Sequence, residues 1–131
     1  MTAEEKFEAD VIEVLTDKGW DCDHCESVNR PGWPDITATK GSIALLIEVK
    51  AGAPIRAEQI NLAYTKYKNH GTVVWLLEKR ANDYAVSILA HHSKFWPKAK
   101  HGVMYMIDQD LPGLIDQIIE KVEQPQLIIR S

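Results

Sequence analysis

The apolar run at residues 43–47 constrains the fold of this chain more than any other feature. All five residues, Ile-Ala-Leu-Leu-Ile, are apolar, so a strand here buries both of its faces, as central strands of α/β proteins do. Lys-Gly-Ser at 40–42 predicts a turn before the run, and Ala-Gly-Ala-Pro at 51–54 breaks the chain after it. A strand covered on both sides requires layers above and below the sheet. The run therefore predicts a mixed α/β domain with helices packed on a sheet.

Periodic patterns on both sides of this run predict the remaining elements. Phe7, Val11 and Leu15 recur at helical spacing after a capping box formed by Thr2 and Glu5. In chain order we expect a helix from residue 3 that ends at Gly19, strands at 20–28, 35–39 and 43–50, a helix at 57–69, strands at 72–77, 84–90 and 103–107, and a helix that follows Asp110 and ends at Gln124.

The composition is that of an ordinary globular chain. With 131 residues, 45% of them hydrophobic, residues 1–131 are expected to form a single domain with its own core. No apolar stretch approaches the length of a membrane span, and the N-terminus lacks the basic-then-apolar layout of a signal peptide, so we expect a cytoplasmic protein. The net charge of −4 disfavours nucleic-acid binding without excluding it, because several basic residues lie in segments outside the acidic first helix.

Charged residues flank the buried run at a spacing that suggests chemistry. Asp35 begins the predicted hairpin, and Glu48 and Lys50 close its second strand, although charges are expensive to bury. Because side chains in a strand alternate between faces, Glu48 and Lys50 point to the same side. A hairpin turned at Gly41 brings Asp35 nearly opposite Ile47, within about one residue of Glu48.

Two carboxylates held side by side are typical ligands of a hard divalent cation. We therefore expect Asp35 and Glu48 to bind Mg²⁺, with Mn²⁺ able to replace it and the backbone carbonyl of Val49 as a further ligand. Such a metal lowers the pKa of a bound water and neutralises charge on a phosphate. Lys50 can orient that water or stabilise the transition state as a fixed cation. The alternative is a salt-bridged strand end, in which Lys50 only pairs with Glu48.

Two short motifs resemble those of a known enzyme superfamily. Gly32-Trp33-Pro34-Asp35, followed by Ile47-Glu48-Val49-Lys50, resembles the PD-(D/E)XK nuclease superfamily. The order of elements is similar to that superfamily's core of helix, three strands, helix and strand. Within it, the chain most resembles virus-type replication-repair nuclease (VRR-NUC) domains and archaeal-type Holliday junction resolvases, over residues 4 to about 78. The resemblance implies a restriction-endonuclease-like core with a C-terminal strand and helix extension.

The resemblance also implies two helper residues on helices. In the resembled families a first-helix glutamate lies about three turns before the glycine that ends the helix, and Glu8 stands eleven residues before Gly19. Glu8 borders the apolar stripe, so a site role is favoured over an ordinary surface glutamate. Gln59, on the helix after the E-x-K motif, is implied to assist the metal or the phosphate; a helix-boundary amide is the alternative. The other glutamates of the first helix are expected to be solvated: Glu4, Glu5 and Glu13.

The function implied is that of a metal-dependent DNA endonuclease. It would hydrolyse phosphodiester bonds, structure-selectively, in DNA repair, recombination or phage replication. A homodimer is expected, because a single site cuts one strand. A non-catalytic DNA- or protein-binding module on the same fold is the alternative, and a small-molecule metallohydrolase is disfavoured because a histidine-rich zinc set is lacking. The residues expected to contact DNA are Arg30, Trp33, Lys40, Arg56 and Lys66.

Three further patterns have less specific interpretations. The C-x-x-C at 22–25 lacks a second ligand pair, so ordinary reduced cysteines are expected. His91, His92 and His101 are expected to be solvated. The segment 94–98, Lys-Phe-Trp-Pro-Lys, suits a nucleic-acid contact, an interface or a packed loop equally well.

Overall fold

The structure, a computed structural model, describes residues 2–24, 34–52, 55–70, 73–89 and 105–123. In these ranges the chain forms three helices and six strands, in the predicted order. No helix there has the length and apolarity that crossing a membrane requires, and the expected cytoplasmic location stays a prediction. The helices are α1 (Ala3–Asp17), α2 (Ala57–His70) and α3 (Leu111–Glu123). The strands are β1 (Asp21–His24), β2 (Ile36–Lys40), β3 (Ile43–Ala51), β4 (Trp75–Lys79), β5 (Tyr84–Ile88) and β6 (Tyr105–Asp108).

The six described strands form one mixed sheet, in the order β1-β2-β3-β4-β5-β6. β3 and β4 are parallel and connected through α2, whereas the other neighbouring pairs are antiparallel. The central position predicted for β3 is therefore confirmed. β4 begins at Trp75, later than expected, because its pairing with β3 starts opposite Ile47. Parts of four predicted strands, residues 25–28, 72, 90 and 103–104, lie outside the described ranges.

One core lies between the sheet and the helices α1 and α3. The stripe predicted for α1, formed by Phe7, Val11 and Leu15, is fully buried and packs in the same cluster as Val49 of β3. The Phe7 ring stacks on Tyr84 of β5 with the ring centroids 5.8 Å apart. The buried residues of α3 in this core are Leu111, Leu114, Ile115 and Ile118.

A second core lies between the opposite face of the sheet and α2. Ile60 and Ala63 of α2 pack with Leu76 of β4, and Leu46 of β3 borders the same cluster. Since side chains alternate along β3, Leu45, Ile47 and Val49 face α1 and α3, whereas Leu46 faces α2. Leu45 and Ile47 of the apolar run are thus buried on one face, whereas on the other face Leu46 is half-buried and Ala44 is exposed, so the predicted coverage of both faces is confirmed only in part.

Local signals set both ends of α1. At the N-terminus, Thr2 Oγ1 accepts a hydrogen bond from the Glu5 N–H at 3.1 Å. At the C-terminus, Gly19 adopts φ +90°, a left-handed conformation that favours glycine. Lys40 Nζ then donates to the carbonyl of Lys18 at 3.0 Å, which satisfies one of the last carbonyls of the helix. The N-terminus of α1 is therefore capped locally, and its C-terminus is bonded to β2 of the sheet.

The turn between β2 and β3 sets the register of the hairpin. Lys40 pairs with Ile43 across a two-residue loop in which Gly41 has φ +62°. Ile36 consequently pairs with Ile47, and continuing the same register places Asp35 opposite Glu48. The expected position nearly opposite Ile47 was off by one residue. The reason is that Lys40 is paired in the ladder and does not belong to the turn.

Candidate functional site

The side chains of Asp35 and Glu48 meet at the open end of the β2–β3 hairpin. Asp35 lies at a bend immediately before β2, and its Oδ2 accepts a hydrogen bond from the Val49 N–H at 3.0 Å. Glu48 is 7% exposed, and its side chain is hydrogen-bonded to that of Asp35. The register and the backbone hydrogen bond together hold the two carboxyl groups side by side, as the sequence predicted.

The pair is too close and too buried to carry two negative charges at neutral pH without a cation. Burial, then the hydrogen bond and the charge of Asp35, raise the pKa of Glu48 from its ordinary 4.5 to about 9. The charge of Lys50 acts in the opposite direction, and that of Glu4 adds to the increase. The raised pKa favours the protonated form of Glu48 beside Asp35. A divalent cation can replace this proton, which is the behaviour expected of metal ligands.

The third residue of the motif, Lys50, lies next to this pair and contacts α1. It follows Glu48 by two residues on β3, on the same face. Its Nζ lies 3.6 Å from Oε1 of Glu4, and the Lys50 side chain is 13% exposed. The ammonium group is thus held between the end of β3 and the first turn of α1, close to the two carboxyl groups.

Glu4 was missed as a member of this site, and the expectation that it is solvated was wrong. Its side chain is 35% exposed and forms the ion pair with Lys50. The signal was present in the sequence, because Glu4 precedes Phe7 by three residues and Val11 by seven, and so extends the buried stripe of α1. Glu8, one turn further along, is half-buried, and its role at the site stays a prediction.

Gln59 makes a local hydrogen bond at the start of α2. Its Oε1 accepts from the Arg56 N–H at 3.3 Å, which caps the helix in the manner of a capping box. Arg56 Nη1 lies 3.0 Å from Glu58 Oε1, and both of these side chains are about two-thirds exposed. The observed bond is the one expected of a helix-boundary amide. The assisting role of Gln59 and the DNA contact of Arg56 stay predictions.

The structure separates Lys40 from the carboxyl pair. Lys40 lies at the turn end of β2 and Asp35 at the opposite end, roughly 16 Å apart along the strand. Its ammonium group is bonded to the end of α1. Of the other residues expected to contact DNA, Arg30 and Trp33 lie outside the described residues, as does the side chain of Lys66.

The carboxylate oxygens of Asp35 and Glu48 suit a hard cation that takes few of its ligands from the protein. Throughout the described residues, no group of three or more histidine, cysteine, aspartate or glutamate side chains is arranged to hold a metal ion. Asp35 and Glu48 instead supply two carboxylates in one place, and the Val49 carbonyl is the further ligand expected from the sequence. All of these donors are oxygen atoms, and Mg²⁺ usually binds to one or two carboxylates while keeping several waters.

The remaining sequence motifs lie mostly outside the described residues. Cys25, the histidines at 91, 92 and 101, and the segment 94–98 all fall there. Cys22 is a free, half-buried thiol, and burial raises its pKa. A raised pKa leaves little thiolate at neutral pH, which agrees with the expected ordinary reduced cysteine.

Comparison with known proteins identifies the fold. No protein-family model matches the chain, and no curated protein matches it significantly in sequence. Among solved structures, the chain is similar to Hjc, a Holliday junction resolvase from the archaeal hyperthermophile Archaeoglobus fulgidus, with a TM-score of 0.52 and 19% sequence identity. The similarity covers 86% of this chain and 89% of Hjc, so it extends beyond the residues 4–78 in which the resemblance was recognised. The chain therefore has the restriction-endonuclease-like fold predicted from its sequence, which is the fold of this archaeal resolvase.

Proposed function

We propose that this protein is a Mg²⁺-dependent DNA endonuclease that hydrolyses phosphodiester bonds. The observation that carries the proposal is the buried, hydrogen-bonded pair of Asp35 and Glu48 with Lys50 beside it. The pair is located in a fold shared with a Holliday junction resolvase, which supports a DNA substrate of defined structure, such as a branched junction, and a role in repair, recombination or phage replication.

The metal-binding part of the site is formed by the hairpin. Asp35, Glu48 and the Val49 carbonyl would hold the cation, because they place oxygen donors together in a region with little exposure. When bound, the cation supplies a water of lowered pKa and neutralises charge that develops on the phosphate. Asp35 is already oriented by the Val49 N–H, and Glu48 releases its proton to become the second anionic ligand.

The hydrolytic part of the site depends on Lys50. Its ammonium group carries three donors, which can hold the attacking water and a non-bridging phosphate oxygen in line with the bond to be broken. The water oxygen bonds to phosphorus and releases a proton to solvent, the phosphorus–oxygen ester bond breaks, and the leaving oxygen takes up a proton from solvent. Lys50 stabilises the extra negative charge of the transition state as a fixed cation. Glu8 on α1 would complete the site, and Gln59 on α2 would assist the metal or the phosphate.

We also propose a homodimer, because one such site cuts one strand and a junction or duplex presents two. The net charge of −4 implies that binding depends on a local surface of basic and aromatic residues, to which Arg30, Trp33, Lys40, Arg56 and Lys66 would contribute. Light scattering during gel filtration gives the oligomeric state. A monomer both alone and on junction DNA would contradict the dimer.

Cleavage assays with matched variants test the proposed activity. Purified protein is incubated with branched, duplex and single-stranded DNA in Mg²⁺ or Mn²⁺, and cut products are resolved on denaturing gels. Asp35→Ala and Lys50→Ala should each lose roughly 100-fold or more in cleavage rate. Asp17→Asn and Lys121→Ala, which change exposed charges on α1 and α3, are the controls and should cut normally. Equal cutting by Lys50→Ala and the wild-type protein would contradict the assignment.

The rival function is a non-catalytic DNA- or protein-binding module on the same fold. Its support is the small ligand set, two carboxylates without a third clustered ligand among the described residues, together with the acidic net charge. Calorimetric titration with Mn²⁺ separates the two functions. Binding that disappears in Asp35→Ala and in Glu48→Ala supports the nuclease, whereas no binding by the wild-type protein supports the rival.

A further inference from the structure

An ion pair joins the first turn of α1 to the end of β3. Lys50 Nζ lies 3.6 Å from Glu4 Oε1, and the two side chains are 13% and 35% exposed. Both partners lie next to fully buried residues: Phe7, one turn after Glu4, stacks on Tyr84, and Val49 immediately precedes Lys50. Because the backbones on both sides are fixed by the core, this pair has a better defined geometry than two flexible chains that meet on an open surface.

The contact matters because of the properties of lysine. Its ammonium group sits on a flexible four-carbon stem and samples many rotamers unless a partner holds it. The proposed chemistry requires this group at a fixed position, since a displacement of about 1 Å costs roughly 100-fold in rate. Glu4 lies on α1 and Lys50 on β3, so the ion pair restrains the ammonium group from outside its own strand.

We propose that Glu4 is a positioning residue for Lys50, holding its ammonium group at the end of β3 in the orientation that phosphodiester hydrolysis requires. The role in catalysis rests on the proposed function, but the contact between the two side chains can be tested without it. The sequence resemblance assigns the first-helix role to Glu8. Glu4 is an additional residue that the geometry of this chain brings to the site.

Two variants of neighbouring residues isolate the contact. Glu4→Gln and Glu5→Gln both remove one negative charge from the first turn of α1, but Glu5 is exposed and Glu4 reaches Lys50. In the metal-free, isotope-labelled protein, the Nζ signal of Lys50 is followed by NMR and assigned with Lys50→Arg. The signal should move and exchange faster with water in Glu4→Gln, and it should stay unchanged in Glu5→Gln. Thermal unfolding verifies that both variants are folded.

The kinetic readout separates positioning from binding. Glu4→Gln should lower kcat by about tenfold with KM for DNA unchanged, Glu4→Asp should recover part of the loss, and Glu5→Gln should behave as wild type. An unchanged Lys50 signal, a kcat loss no larger than that of Glu5→Gln, or a loss seen only in KM would each overturn the positioning role. Absence of DNA cleavage by the wild-type protein would instead refute the nuclease function, and it would leave the NMR test of the contact intact.

Discussion

Replacing Glu48 by glutamine should stabilise the metal-free protein, although it removes a proposed metal ligand. Folding raises the pKa of Glu48 from 4.5 to about 9, so near neutral pH this carboxyl group takes up a proton when the chain folds. A group with a raised pKa contributes its full stability below the unfolded-state pKa and loses it as the pH rises through the folded-state pKa. The wild-type protein should therefore lose stability between pH 4.5 and about 9. Glutamine is neutral at every pH, and its amide can donate to Asp35 as the protonated carboxyl does.

The size of the effect follows from the two pKa values. Each pKa unit corresponds to about 1.4 kcal/mol, and pH 7 lies about 2.5 units above the unfolded-state value. Protonating Glu48 therefore costs the wild-type protein about 3 kcal/mol at pH 7. Glu48→Gln should be more stable by about this amount at pH 7, by more at pH 8, and by almost nothing at pH 4. For a chain of this length the gain at pH 7 corresponds to a rise in Tm of roughly 10 °C.

Urea denaturation in the presence of a chelator, repeated from pH 4 to pH 9, measures the effect. Glu13→Gln, a change on the exposed side of α1, is the control and should differ from wild type by less than about 0.5 kcal/mol at every pH. A stability difference between Glu48→Gln and wild type that does not change with pH would refute the reasoning, as would a variant less stable than wild type at pH 8.

The same variant links stability to metal binding. Added Mg²⁺ or Mn²⁺ should raise the Tm of the wild-type protein, because a ligand that binds only the folded state stabilises it in proportion to the logarithm of its concentration. Glu48→Gln lacks the second carboxylate and should show almost no rise. Equal rises in both proteins would place the cation somewhere other than at Asp35 and Glu48.

Two further predictions concern the elements that support the site. Phe7→Ala should destabilise the protein by about 3–5 kcal/mol, since the ring is fully buried and stacks on Tyr84; a loss below about 1 kcal/mol in urea denaturation would contradict the packing described. Thr2→Ala should cost about 1 kcal/mol, because the Glu5 N–H loses its acceptor, and Thr2→Ser should recover most of that loss in the same measurement.

The sequence predicted the features that depend on spacing along one element. The stripe of α1 through Phe7 and Val11 follows from a 3.6-residue period, and the shared face of Glu48 and Lys50 follows from strand alternation. The stripe was confirmed, and Glu48 and Lys50 both lie in β3, two residues apart. The proximity of Asp35 to Glu48 was also predicted, because a short hairpin allows only a small error in register.

The features that depend on how elements meet were less predictable. The exact partner of Asp35 depended on whether Lys40 pairs in the ladder or belongs to the turn, and a single residue of loop length decides this. The contact between Glu4 and Lys50 depends on where the first turn of α1 lies against the end of β3. Sequence spacing within α1 places Glu4 on the correct face of the helix, but it does not specify what that face meets.

The apolar run of β3 connects the stability of the fold to the proposed chemistry. β3 lies inside the sheet between β2 and β4, and the packing around its second half also buries Glu48. Burial makes the position unfavourable for a second negative charge beside Asp35 and favourable for a cation that removes the need for a proton. As the pH rises toward 9, the metal-free protein should become less stable while its affinity for the cation increases. The packing of the sheet thus makes a negative charge on Glu48 unfavourable unless a cation is bound, and the proposed site depends on this. Glu48→Gln would remove the unfavourable charge together with the proposed metal ligand.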